Sequence, residues 1–127
     1  MDPFTVASRR RADWSVVEVT GELDIATRDR LRDHLYEVIA AHRPAHVIVD
    51  LSRLEFCDAT GLSVLVAGQH RVWQHDGRLR LVCPEGRIRR LLRLTRLIDV
   101  FPVYETLTEA ATAVGGRRQP DGHRAPR

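Results

Sequence analysis

Among its 127 residues the chain has no lysine, so all 20 basic residues are arginine. It has only two cysteines, Cys57 and Cys83, and they form no CxxC pair. Each sits beside an apolar run, as expected for a small buried hydrophobe in a reducing compartment. No stretch reaches the roughly 18 apolar residues that a bilayer-spanning helix needs. Met1-Asp2-Pro3-Phe4 supplies neither a basic leader nor an apolar one, so a cytoplasmic protein is expected.

Several chemistries lack their residues. His34, His42, His46, His70, His75 and His123 are scattered and share no ligand spacing with the cysteines, so no metal is expected. A GxSxG elbow, a Walker loop and a GxGxxG loop are all missing. No nucleophile–base pair can be named, so the chain does not read as an enzyme, and no cofactor is expected.

The net charge of +3 is local. Arg117, Arg118, Arg124 and Arg127 outnumber Asp121 at the C-terminus, whereas residues 1–114 balance their arginines with acids one for one. Residues 115–127 hold almost nothing apolar and are expected to be disordered. Arg87, Arg89, Arg90, Arg93 and Arg96 crowd one helical stretch, but no aromatics interleave to stack bases. That stretch reads as a solvated face, and nucleic acid is a disfavoured partner.

The 43% of apolar residues suffice for one core. Phe4–Ser8 and Trp14–Thr20 read as a hairpin with Arg9–Asp13 as its turn. Gly21-Glu22-Leu23-Asp24 breaks the strand pattern, and Leu31, Leu35, Val38 and Ile39 then mark a helix that Pro44 forbids from continuing. Val47–Leu51 is a β-branched run suited to a central buried strand. A helix from Asp58–Gly61 to Gly77 carries Leu62, Leu65, Val66, Gln69, Val72 and Trp73 on one side. Leu79–Cys83 is a strand, Gly86–Arg96 a helix with Ile88, Leu91, Leu92 and Thr95 inward, and Phe101–Tyr104 a last strand. Leu107, Ala110, Ala111 and Val114 mark a final helix, opened by Thr106 or Thr108. The expected fold is a single α/β domain over residues 1–114, with a mixed sheet of about five strands and about four helices, β β α β α β α β α.

The informative segment is Asp50-Leu51-Ser52-Arg53-Leu54-Glu55-Phe56-Cys57-Asp58-Ala59-Thr60-Gly61-Leu62. A buried strand is expected to end there and feed a helix N-terminus, whose free N–H groups favour a carboxylate or phosphate. Asp58 or Thr60 can cap it, and Gly61 would let another chain approach closely. Taken alone, the segment is equally well an ordinary cap ahead of a core helix.

"DLSRLEFCDATGLSVLV", with "VTGELDIAT" upstream, closely resembles the STAS domains of anti-sigma-factor antagonists over about residues 4–114. The resemblance implies a binding protein without catalysis or cofactor. Its implied partner is an anti-sigma factor of the serine-kinase type, whose capture releases a sigma factor for transcription. In that family the kinase phosphorylates a serine in the antagonist to eject it, and a phosphatase restores it. Asp58, Thr60, Gly61 and Leu62 match the family motif, and Asp24 matches its upstream acidic loop. Ala59 stands where the phosphoserine belongs and has no hydroxyl, which leaves Thr60 as the acceptor within the motif. Leu62 is either an apolar contact for the partner or a core residue, and Asp24 is expected to be an exposed loop carboxylate. The alternative is a STAS sensor or scaffold that binds a nucleotide or small anion at the helix terminus near Asp58–Leu62.

Overall fold

A computed structural model describes residues 3–115. The expected disordered tail, apart from Gly115, lies outside the described residues. Strands β1 (Thr5–Arg11) and β2 (Trp14–Leu23) are followed by helix α1 (Arg28–Ala40) and strand β3 (His46–Cys57). Helix α2 (Ala59–Gln74), strand β4 (Arg78–Val82), helix α3 (Arg87–Leu94), a 3-10 turn at Leu97–Asp99, strand β5 (Val103–Tyr104) and helix α4 (Leu107–Thr112) complete the order. The expected class and element order are therefore observed. The sheet order is β1-β2-β3-β4-β5. β1 and β2 pair antiparallel, and the remaining pairs are parallel.

The ends of β1, β2 and β3 differ most from expectation, while α3, β5 and α4 are shorter than the expected Gly86–Arg96, Phe101–Tyr104 and Leu107–Val114. Arg9–Arg11 belong to β1, and only Ala12 and Asp13 turn the hairpin, with Ala12 in the left-handed region at φ 53°. The charged run that suggested a turn is an edge strand facing water. β2 does not stop at Gly21. That glycine takes φ +100°, and a Cβ there would lie 2.1 Å from the carbonyl oxygen of Pro3. With its special geometry the strand continues to Leu23, through two register shifts against β3. β3 likewise runs six residues past Leu51, so no turn separates strand from motif.

Alternation along the parallel strands divides the side chains between two faces. Val47, Val49, Leu79 and Leu81 pack under α1, α2 and α3 with Leu31, Leu35, Ile39, Leu65, Val72, Ile88 and Leu92. Val64 joins this core although the sequence reading missed it, and Leu91 is only partly buried. Thr95, expected inward, is exposed, and its hydroxyl donates to the carbonyl of Leu91. The opposite face carries a smaller cluster of Trp14, Val16, Ile48, Val82 and Ala110 beneath α4. Thr106 caps α4 through a reciprocal capping box with Glu109, while Val114 lies beyond the helix and is 99% exposed.

Arg80 sits inside this second layer at 2% exposure. Its guanidinium donates to the carbonyls of Ala110 at 2.6 Å and Gly115 at 2.5 Å. The rings of Trp14 and Tyr104 lie 4.5 and 5.7 Å away. Carbonyl acceptors and aromatic faces here take the role of a carboxylate partner. Arg78 donates to the same Gly115 oxygen at 2.8 Å, so the sheet grips the chain one residue past the expected domain boundary. Arg80→Met should lower unfolding stability by about 2–3 kcal/mol, because the carbonyls lose a charged donor. Urea denaturation checks this, and a midpoint equal to wild type would show that the clamp contributes nothing.

Candidate partner-binding site

The extended ends of β2 and β3 bring the two sequence motifs together. Glu22 lies opposite Phe56, and Leu23 opposite Cys57. The N–H of Asp58 then donates to the carbonyl of Leu23 at 3.2 Å. Gly61 completes the junction. A Cβ there would lie 2.6 Å from Leu23 Cγ and 2.9 Å from its carbonyl oxygen. The close approach expected for another chain is thus made by the protein's own β2.

Asp58 is the N-cap of α2. Its Oδ1 accepts from the Thr60 hydroxyl at 2.6 Å and from the Gly61 N–H at 2.9 Å. The Thr60 hydroxyl bond, followed by the Gly61 N–H, holds this carboxyl below the usual carboxylate range. A carboxylate of the chain itself already occupies the helix start. This geometry weighs against a nucleotide or small anion there, since the incoming charge would meet Asp58.

Asp24 is half-buried and part of the turn into α1, contrary to the expectation of an exposed loop carboxylate. Its Oδ1 accepts from the N–H groups of Ala26 at 2.9 Å and Thr27 at 3.2 Å. The Thr27 hydroxyl donates to the carbonyl of Glu22 at 2.8 Å and accepts from the Asp24 N–H at 3.0 Å. Removing the carboxylate would therefore loosen the loop as well as change its charge.

Ala59 is the first residue of α2 and is exposed. Thr60 is half-buried with its hydroxyl bonded to Asp58. Leu62 is 4% exposed and belongs to the core. The apolar groups that do reach solvent at this end are Ile25, 69% exposed, and Phe56, 44% exposed. Sequence reasoning missed both, although an isoleucine beside the acidic loop and a phenylalanine among polar strand residues were the available signals. It also missed Ser63, exposed one helical turn beyond Ala59, whose hydroxyl donates to the carbonyl of Thr60 at 2.6 Å.

Other candidates resolve structurally. Burial pushes the Cys57 thiol up to about 12 and the Cys83 thiol to about 11, so both stay protonated at neutral pH. On α3, Arg89 pairs with Glu85 and Glu105, and Arg93 pairs with Glu85, which neutralises part of the basic run. Among the described residues no group of His, Cys, Asp and Glu could hold a metal ion, and no helix is long and apolar enough to cross a membrane.

Comparison with known proteins gives concordant results. The chain is 31% identical over 117 residues to the anti-sigma-F factor antagonist RsfB of Mycobacterium tuberculosis, covering 92% of this chain and 94% of that protein. It is 29% identical over 97 residues to an anti-sigma F factor antagonist of Paenibacillus polymyxa, covering 76% of this chain and 83% of the relative. A crystal structure of an anti-sigma factor antagonist from Mycobacterium paratuberculosis superposes with a TM-score of 0.80 at 34% identity, over 87% of this chain and 93% of that one. The family model described as STAS domain matches residues 5–110, and the chain belongs to that family.

Proposed function

We propose that this protein is an anti-sigma-factor antagonist that acts by binding, with the surface around Ala59 as its contact face. One observation carries the reading. Ala59 lies exposed at the start of α2, at the sheet end where the β2–α1 turn is bonded to the helix and where Ile25 and Phe56 reach solvent. A pre-ordered surface that exposes apolar groups at the same sheet end as Asp24 and Asp58 suits protein recognition, because little ordering is left to be done on binding. The partner is an anti-sigma factor of the serine-kinase type, and its capture releases a sigma factor in the cytoplasm. A phosphatase has a role only if the antagonist is phosphorylated.

The switch follows from the same geometry. A phosphate at residue 59 would add about −1.5 to −2 charges beside Asp58. In a contact from which water is excluded that charge would go unscreened, and the partner would leave. Ala59 cannot accept a phosphate. The Thr60 hydroxyl is the alternative, but it donates to Asp58 Oδ1 and must give up that bond before it can accept a phosphoryl group. The wild-type protein therefore stays bound longer than an antagonist with serine at this position.

Two experiments test this reading. Incubated with ATP and a cognate kinase-type anti-sigma factor, Ala59→Ser should take up phosphate on the introduced hydroxyl, whereas wild type should stay unmodified. Peptide mass spectrometry locates the modification, and efficient labelling of wild type at Thr60 or Ser63 would overturn the unswitched reading. Ile25→Asp should weaken anti-sigma binding by about 10- to 100-fold, the loss of a central apolar contact, without lowering the melting temperature. Calorimetry reads the affinity, and Asp24→Asn, which keeps the turn's acceptor, reports on the acidic loop. Undiminished binding by Ile25→Asp would remove this face from the interface.

A further inference from the structure

Pro84 opens a cleft beside β3. Leu81 and Cys83 give their N–H groups to the carbonyls of Pro102 at 2.9 Å and Tyr104 at 2.8 Å, on the β5 side. By strand alternation, Val82 and Pro84 face β3. Pro84 has no N–H to give, and β4 stops pairing at Asp50–Val82. β3 continues to Cys57 with β2 along one edge, and no described strand lies along the other. Between that edge and the β4–α3 junction lies a cleft of about 350 Å³, lined by Leu51, Ser52, Leu54, Glu55, Cys83 and Ile88 together with residues 84–87. Its floor is apolar, since Leu51, Leu54, Cys83 and Ile88 are all buried. At its rim Arg87 is exposed and pairs with no described acid, whereas Glu85 is engaged by Arg89 and Arg93.

We propose that this cleft binds an extended peptide segment of a protein partner as an added strand on β3, apolar at alternate residues and bearing a carboxylate opposite Arg87. An open strand edge offers directional backbone bonds that a peptide satisfies and a compact metabolite does not. The apolar floor takes alternate side chains, and Arg87 selects the charge. The chain's own residues 116–127 match the cleft poorly by composition, since they carry four arginines against one aspartate and almost nothing apolar. A second copy entering edge to edge would bring its own Glu55 toward Glu55, like charge against like.

The test uses the whole ¹⁵N-labelled chain and two blocked pentapeptides, Val-Thr-Val-Thr-Glu and the same sequence ending in Lys. The Ser52 N–H already donates to Asp50 Oδ1 at 2.9 Å, so the readout is amide exchange at Arg53–Glu55, which should slow by about tenfold or more with the Glu peptide. The Lys peptide should bind about fivefold or more weakly, and Arg87→Glu should reverse that preference. Arg87 is exposed, so unchanged resonances elsewhere confirm that the variant folds. Exchange at Arg53–Glu55 that ignores both peptides at millimolar concentration would overturn the proposal. Protection that rises with protein concentration alone would assign the edge to a second copy. Resonance shifts confined to Ile25 and Ala59 would assign the peptide to the contact face instead.

Discussion

The site depends on the bond between the ends of two neighbouring strands, where the Leu23 carbonyl receives the Asp58 N–H. Through it the end of β2, which leads into the turn before α1, is joined to the start of α2. Gly61 permits the distance, because any larger residue would force the helix away from Leu23. Asp58 then serves two purposes. Its backbone closes the junction, and its side chain caps the helix. The surface around Ala59 is in this way fixed by groups that lie beneath it.

A fixed surface has an energetic meaning for a protein whose work is recognition. Ordering a loop on binding costs roughly 1–2 kcal/mol for each backbone residue fixed. Here the Asp24–Thr27 network has already ordered the loop. The exposed Ile25 and Phe56 leave apolar area uncovered in the free protein, and a partner docked on the proposed face would recover that energy. Ala59 sits in this surface as a small residue that neither clashes nor carries charge.

Sequence patterning revealed the class, the order of elements and most of the core, because the buried central strands and the helix stripes have clear periods. The motif residues were also legible, and Asp24, Asp58, Ala59 and Thr60 gather at one end of the sheet. What failed was the reach of β2 and β3. Ser52, Arg53 and Glu55 are exposed where β3 passes beyond β4, so their polarity imitated a turn. Gly21 looked like a breaker because its positive φ is invisible in sequence. Arg80 did leave a trace, as a charge inside the otherwise apolar run Leu79–Val82. Its partners, the Ala110 and Gly115 carbonyls, are backbone groups and carry no signature.

The Arg80 clamp also imposes an order on biosynthesis. Every residue of the proposed contact face has been translated by Ser63, whereas the clamp needs a carbonyl at Gly115. A chain emerging from the ribosome can therefore assemble its recognition end well before α4 covers the far side of the sheet. Until then Trp14, Val16 and Ile48 form a bare apolar strip. That strip, bare until α4 packs on it, exposes apolar surface of a nascent copy to aggregation and to chaperones.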